Sequence, residues 1–197
     1  MKIFFAIIFL AASFILKAQT VNLKIIETTD VHGKILPYNN QSQIENTSLA
    51  NVYAFVETLR ENNEQIILLD NGDVLQGDPS VYYFNFINDS VQHLCARIMN
   101  FMQYDAASVG NHDIETGHQV YDRVKDEYKF SWLAANAVKN NSGDPYFVPY
   151  TIIEKEGIRI AVLGMITPRI PDWLPETIWE GMHFEDIELI PQILLQC

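Results

Sequence analysis

Three apolar runs in this chain each stop at a short polar cluster, and the spacing of those stops constrains the fold. Asp30-Val31-His32-Gly33 follows residues 23–29, Gly72-Asp73 follows Gln65–Asp70, and Gly110-Asn111-His112-Asp113 follows residues 106–109. In an open α/β sheet, ligands bind outside the carboxyl ends of the strands. A sheet that sets these three runs side by side gathers carboxylates, imidazoles and a carboxamide in one crevice. Those are the donor types for a centre holding two divalent transition metals.

Each cluster has a plainer reading when taken alone. Asp30 and His32 stand two apart, so at a strand end both can face one ion, yet a capping Asp beside a surface His gives the same letters. In Asp70-Asn71-Gly72-Asp73 the glycine permits a sharp turn, from which Asp73 projects with two oxygens able to bridge two metals. Asp-rich turns are common without that role. Asn111 offers a neutral oxygen to a cation and His112 an imidazole beside it, with Asp113 placed to orient the ring. A polar loop before a helix explains Asn111 and Asp113 but not the His between them. Jointly the clusters predict a shared metal site. A serine hydrolase would need a nucleophile after Gly72-Asp73, where Val74 stands.

The rest of the chain alternates between strand and helix patterns. Residues 21–29 read as a buried strand. Leu49, Val52, Tyr53, Val56 and Leu59 mark one helix face with Thr47 or Ser48 as cap. Residues 66–69 form a short strand, and residues 80–102 a helical stretch broken near Asn88-Asp89-Ser90, with Asp78 as a turn or cap residue before Pro79. Residues 106–109 are strand again, residues 116–128 helix with Val120, Tyr121 and Val124 inward, and residues 132–135 strand. Residues 150–154 and 158–165 read as a hairpin, residues 167–175 as a proline-rich loop, and residues 186–195 as a helix interrupted at Pro191. The expected class is α/β, a layered sandwich of mixed sheets flanked by helices. His93 and His183 carry no functional expectation, His118 stands near the third cluster, and Tyr82, Tyr83, Phe84 and Phe86 suit a core or interface.

Composition narrows the partners. The chain is 48% hydrophobic and 19% charged over 197 residues, enough for a packed core. Met1-Lys2 begins a basic start, residues 3–16 are almost unbroken apolar, and Lys17-Ala18 precedes a polar turn. That is the layout of an export signal, too short to span a bilayer, and a domain beginning at residue 19 is expected. No later stretch is long and apolar enough to cross a membrane. Cleavage removes Lys2 and Lys17 and no acid, deepening the −12 net charge of the whole chain. Such a surface excludes a nucleic-acid polymer as partner but admits a small phosphate ester once metals supply local positive charge. Cys95 falls in an apolar helical pattern as a buried free thiol, and the two cysteines, Cys95 and Cys197, establish no disulfide.

The motifs Asp30-Val31-His32-Gly33, Gly72-Asp73 and Gly110-Asn111-His112-Asp113 resemble those of the calcineurin-like metallophosphoesterases. The stretches running from Asp113 to His118 and from Ala161 to Pro168 look like the bacterial exported 5′-nucleotidase and 2′,3′-cyclic-nucleotide phosphodiesterase group. The resemblance implies that Asp30 and His32 hold one metal, Asp73 bridges two, Asn111 holds the second, and His112 is the catalytic imidazole with Asp113 as partner. It implies two divalent ions (Mn, Zn, Fe or Co), with a hydroxide held between them attacking phosphorus. The substrate would be a small phosphate ester, a nucleotide, and the enzyme would be periplasmic or secreted.

The resemblance also implies later histidines, including a Gly-His-x-His loop, which do not occur before Cys197. The chain is therefore expected to be the first, truncated part of such a domain. The alternatives are a non-catalytic remnant lacking those ligands, or a relative acting on sugar nucleotides or thiosulfate adducts.

Overall fold

The computed structural model describes residues 20–38 and 42–188. Four short strands, β1 (Leu23–Thr28), β2 (Gln65–Asp70), β3 (Ala106–Ser108) and β4 (Ser131–Leu133), form one parallel sheet in the order β1-β2-β3-β4. Each parallel step needs a crossover, supplied by α1 (Leu49–Glu61), then α2 (Pro79–Phe86) and α3 (Leu94–Met102), then α4 (Asn111–Ile114) and α5 (His118–Glu127).

The helices begin where their caps dictate. Ser48 accepts from the Asn51 backbone N–H while the Asn51 side chain accepts from the Ser48 N–H, a reciprocal box at the head of α1. Asp78 accepts from Ser80 N–H at the head of α2, with Pro79 in the first turn. The apolar faces of these helices meet Ile66, Leu68, Ala107 and Trp132 of the sheet in the main core, with Val56, Met99, Tyr121 and Val124 among its buried members. Cys95 is buried there as a free thiol.

The alternate strand residues Ile67, Ala106 and Leu133 are buried on the opposite face. A hairpin of β6 (Tyr150–Lys155) and β7 (Ile158–Leu163) lies against that face, where Leu69, Ala106, Leu133, Val162 and Leu163 surround a cavity of about 170 Å³. Its two-residue turn, Glu156-Gly157, has both residues at positive φ (51° and 76°), the geometry that matches strand twist. A second antiparallel pair joins β5 (Ala137–Lys139) to β8 (Met182–Phe184). Parallel and antiparallel pairing thus occupy separate sheets within an α/β layered fold.

Several sequence expectations need correction. β1 is not buried: it is an edge strand, and Ile25 is 64% exposed. The proline-rich loop contains a helical turn, α6 (Ile170–Trp173). β5, β8 and α4 are too short for any periodicity to register and were not anticipated. The export signal, the C-terminal helix beyond residue 188 and Cys197 lie outside the described residues.

Candidate metal centre

Because β1, β2 and β3 are adjacent and parallel, their carboxyl ends open on one side of the sheet. The loops that leave them are knitted by main-chain bonds. Asp30 N–H donates to Gly72 O (3.1 Å), His32 N–H to Asp73 O (2.9 Å), and Asn71 N–H to Thr28 O (2.8 Å). The second and third loops approach so closely that a Cβ on Gly72 would lie 2.5 Å from Gly110 N, and one on Gly110 2.1 Å from Asp73 Oδ1. Both glycines are required by that contact. Asp30, His32 and Asp73 adopt left-handed backbone, with φ of 51°, 49° and 63°, a conformation that Asp, Asn and His tolerate better than other non-glycine residues.

The result brings together His32, Asp73 and His112, each offering one donor atom, all within 4.8 Å of one another. The two imidazole rings stand 5.0 Å apart at a steep angle. His32 Nδ1 lies 3.2 Å from Gln76 O. A carbonyl can only accept, so Nδ1 carries the proton and Nε2 keeps its lone pair for a metal. Asp73 Oδ1 accepts from His112 N–H at 2.8 Å, leaving Oδ2 for an ion. This imidazole and carboxylate donor set fits a divalent transition metal. Asp30 sits at the edge of the cluster, 3.9 Å from His32 Nε2 and largely exposed, and Thr29 donates to its Oδ2 at 2.5 Å. Asn111 is the first residue of α4, half-buried beside His112, and its carboxamide has no hydrogen-bond partner among the described residues.

Asp113 is placed differently from the sequence expectation. It does not pair with His112. Its side chain is buried and accepts four main-chain donors: Asp73 and Gly110 N–H on Oδ2 (3.0 and 2.8 Å), Val74 and Leu75 N–H on Oδ1 (both 2.9 Å). Burial pushes its carboxyl up to about 6, with the N–H donors pulling the other way. Asp113 therefore clamps two loops together. The partner of His112 is Glu115, whose Oε2 lies 2.8 Å from Nδ1. His112 and Glu115 are three apart, a spacing that meets on a helix, and the turn that brings them together is α4. Partial burial lowers the His112 pKa, but the Glu115 hydrogen bond and charge, followed by Asp73 and Asp113, outweigh it, and the net shift is upward.

Beneath the cluster, Asp70 at the end of β2 accepts from Gly72 N–H (2.9 Å) and from the Thr28 hydroxyl (2.5 Å), and Thr28 Oγ1 lies 2.9 Å from the Tyr104 hydroxyl. Burial pushes Asp70 up to about 7. The remaining histidines stay out of the centre. His118 is held by Asp122, Tyr146 and Glu180 O. His183 binds Asn140. His93 is fully buried, capping α3 by accepting from Cys95 N–H and holding Asn85 Oδ1 with its other nitrogen.

Comparison with known proteins agrees with this architecture. The chain is 29% identical to the trifunctional nucleotide phosphoesterase protein YfkN of Bacillus subtilis over 89% of its length, which is 14% of that protein. It is 26% identical to the 2′,3′-cyclic-nucleotide 2′-phosphodiesterase/3′-nucleotidase of Yersinia enterocolitica, across 87% of the chain and 28% of the relative. The chain thus spans well under a third of either relative. The crystal structure of YfkN superposes with a TM-score of 0.73, covering 89% of this chain and 59% of that one. A putative 5′-nucleotidase from Staphylococcus aureus shares the fold at 24% identity, with a TM-score of 0.79 over 88% of this chain and 34% of its own. The family model for calcineurin-like phosphoesterases matches residues 23–185, a span that contains all three loops, and the chain belongs to that family.

Proposed function

We propose that the complete protein is a metal-dependent hydrolase of phosphate esters that acts on nucleotides. The observation that carries this reading is the convergence of the His32 and Asp73 donors with the His112 imidazole at the ends of three adjacent parallel strands. Asp30 and His32 would hold one divalent ion and Asn111 a second, with Asp73 within reach of both. Bound divalent ions of this kind acidify water and neutralise charge on phosphoryl oxygens.

The chain's own residues do the rest. Gln76 O fixes the His32 tautomer, which leaves its Nε2 lone pair for an ion. Asp113 holds the loops that carry Asp73 and Gly110 at fixed separation. Glu115 grips Nδ1 of His112 and leaves Nε2 to deliver a proton to the departing alkoxide oxygen. The relatives are named for nucleotide esters, which supports nucleotides as the substrate class. Residues 1–18 support export of the mature enzyme.

The reading is tested with the full-length protein on 5′-mononucleotides, 2′,3′-cyclic nucleotides and sugar nucleotides, with Mn, Zn, Fe or Co and with EDTA. Phosphate release that EDTA abolishes, and that His112→Ala lowers by roughly 100-fold or more, is the expected result. No EDTA-sensitive turnover of any of these esters overturns it.

A further inference from the structure

One buried carboxylate near the centre has no part in the chemistry proposed above. Asp70, the last residue of β2, is 4% exposed. Its charge is opposed by those of Asp73 and Asp113, and no cation offsets them among the described residues. A charge kept under those conditions is costly unless hydrogen bonds hold it. Two donors do so. Gly72 N–H meets Oδ1 at 2.9 Å, and the Thr28 hydroxyl meets Oδ2 at 2.5 Å. Asparagine would offer these two donors a single oxygen, so the position calls for a carboxylate.

The bonds continue past Thr28. Its hydroxyl has one proton, given to Asp70, so it accepts the proton of the Tyr104 hydroxyl 2.9 Å away. Tyr104 is also buried and stands two residues before β3. The series from Tyr104 through Thr28 and Asp70 to Gly72 thus runs in one direction, from the approach to β3, across the end of β1, to the loop after β2. Gly72 is where it reaches the centre. Its N–H is held by Asp70, its carbonyl accepts from Asp30 N–H at 3.1 Å, and the next residue is Asp73. Thr28 stands two residues before Asp30, and its own carbonyl accepts from Asn71 N–H at 2.8 Å. The loop bearing Asp30 and His32 and the loop bearing Asp73 are therefore tied by main-chain bonds whose two anchor residues, Thr28 and Gly72, both bind the Asp70 side chain.

We propose that Asp70, with Thr28 and Tyr104 behind it, is a positioning residue that sets the spacing of these two loops and thereby the affinity of the centre for its ions. The proposal rests on the metal assignment above. It is tested in the full-length protein by titrating Mn2+ and reading the free ion by electron paramagnetic resonance. Thr28→Val keeps the branched shape, removes the hydroxyl and should weaken Mn2+ binding about tenfold or more. Thr28→Ser returns the hydroxyl and should return the affinity. Tyr104→Phe removes only the outermost hydroxyl and should weaken binding by less than Thr28→Val does. Urea unfolding of the same variants separates positioning from stability. Wild-type Mn2+ affinity in Thr28→Val, with or without a lowered urea midpoint, would leave a tie between strands and nothing more, and overturns the proposal. If Thr28→Val does not fold, unchanged affinity in Tyr104→Phe overturns it instead. If the wild type binds Mn2+ but hydrolyses no ester, the phosphoesterase reading falls by itself, and the Mn2+ comparison still decides the role of Asp70.

Discussion

At the scale of single residues, two buried side chains hold this region by opposite electrostatic means. Asp113 is an acceptor for four main-chain N–H groups from two loops. Asp113→Asn keeps the shape but replaces one oxygen with a donor, so that buried N–H groups lose their acceptor at about 1–3 kcal/mol each. Urea unfolding of this variant should show a loss of roughly 3 kcal/mol, and a loss below about 1 kcal/mol would contradict the clamp. His93 works only as a neutral ring, because its Nδ1 must accept from Cys95 N–H. Burial, then the Arg123 charge, pushes it down to about 4. With the folded value below the unfolded one of ~6.5, its contribution is present above pH 6.5 and drains away as pH falls toward 4. His93→Asn retains a capping oxygen and cannot titrate, so its urea midpoint should decline less than the parent's between pH 7 and 4.5. Parallel declines would show that the ring is not the titrating group.

At the scale of elements, the close approach of the second and third loops makes glycine at position 110 a requirement. A Cβ there would meet Asp73 Oδ1 and N at 2.1 and 2.5 Å. Gly110→Ala must push Asp73 aside, and a displacement near 1 Å at a reacting centre costs about 100-fold in rate. Metal-dependent turnover should drop by that order while far-UV circular dichroism stays native, and retained turnover would refute the contact. How much of this was legible follows from the length of each element. α1 announced itself through a 13-residue amphipathic face and the Ser48 cap, and the hairpin through its Glu156-Gly157 turn. β5 and β8 have three residues each and depend on pairing across more than forty positions, which no local pattern carries. The edge exposure of β1 followed from sheet order, not from its own apolar letters. Among the expected site residues, His32, Asp73 and His112 come together because strand ends and donor types coincide. Glu115 was hidden because its meeting with His112 requires the four-residue α4, and Asp113 was misassigned because its partners are main-chain N–H groups, which leave no mark in side-chain spacing.

At the scale of the whole molecule, no helix of the described residues is long and apolar enough to cross a membrane, and the net charge of the full sequence is −12. If residues 1–18 direct export, protein recovered from outside the cytoplasm should begin near Gln19 by intact-mass measurement, and recovery with Met1 and residues 2–18 attached would count against cleavage. The left-handed backbone at Asp30, His32 and Asp73 reaches further, into the variation that such a molecule can accumulate. Coordination chemistry alone would accept Glu or Cys at these positions. The backbone does not, because left-handed geometry is strained for most side chains and eased for Asp, Asn and His by their short polar groups. Under the metal assignment proposed above, the usable alphabet at each position is the overlap of two lists, metal donors and left-handed residues. That overlap is so short that Asp73→Asn is a smaller step for the loop than Asp73→Glu, the reverse of the order set by charge.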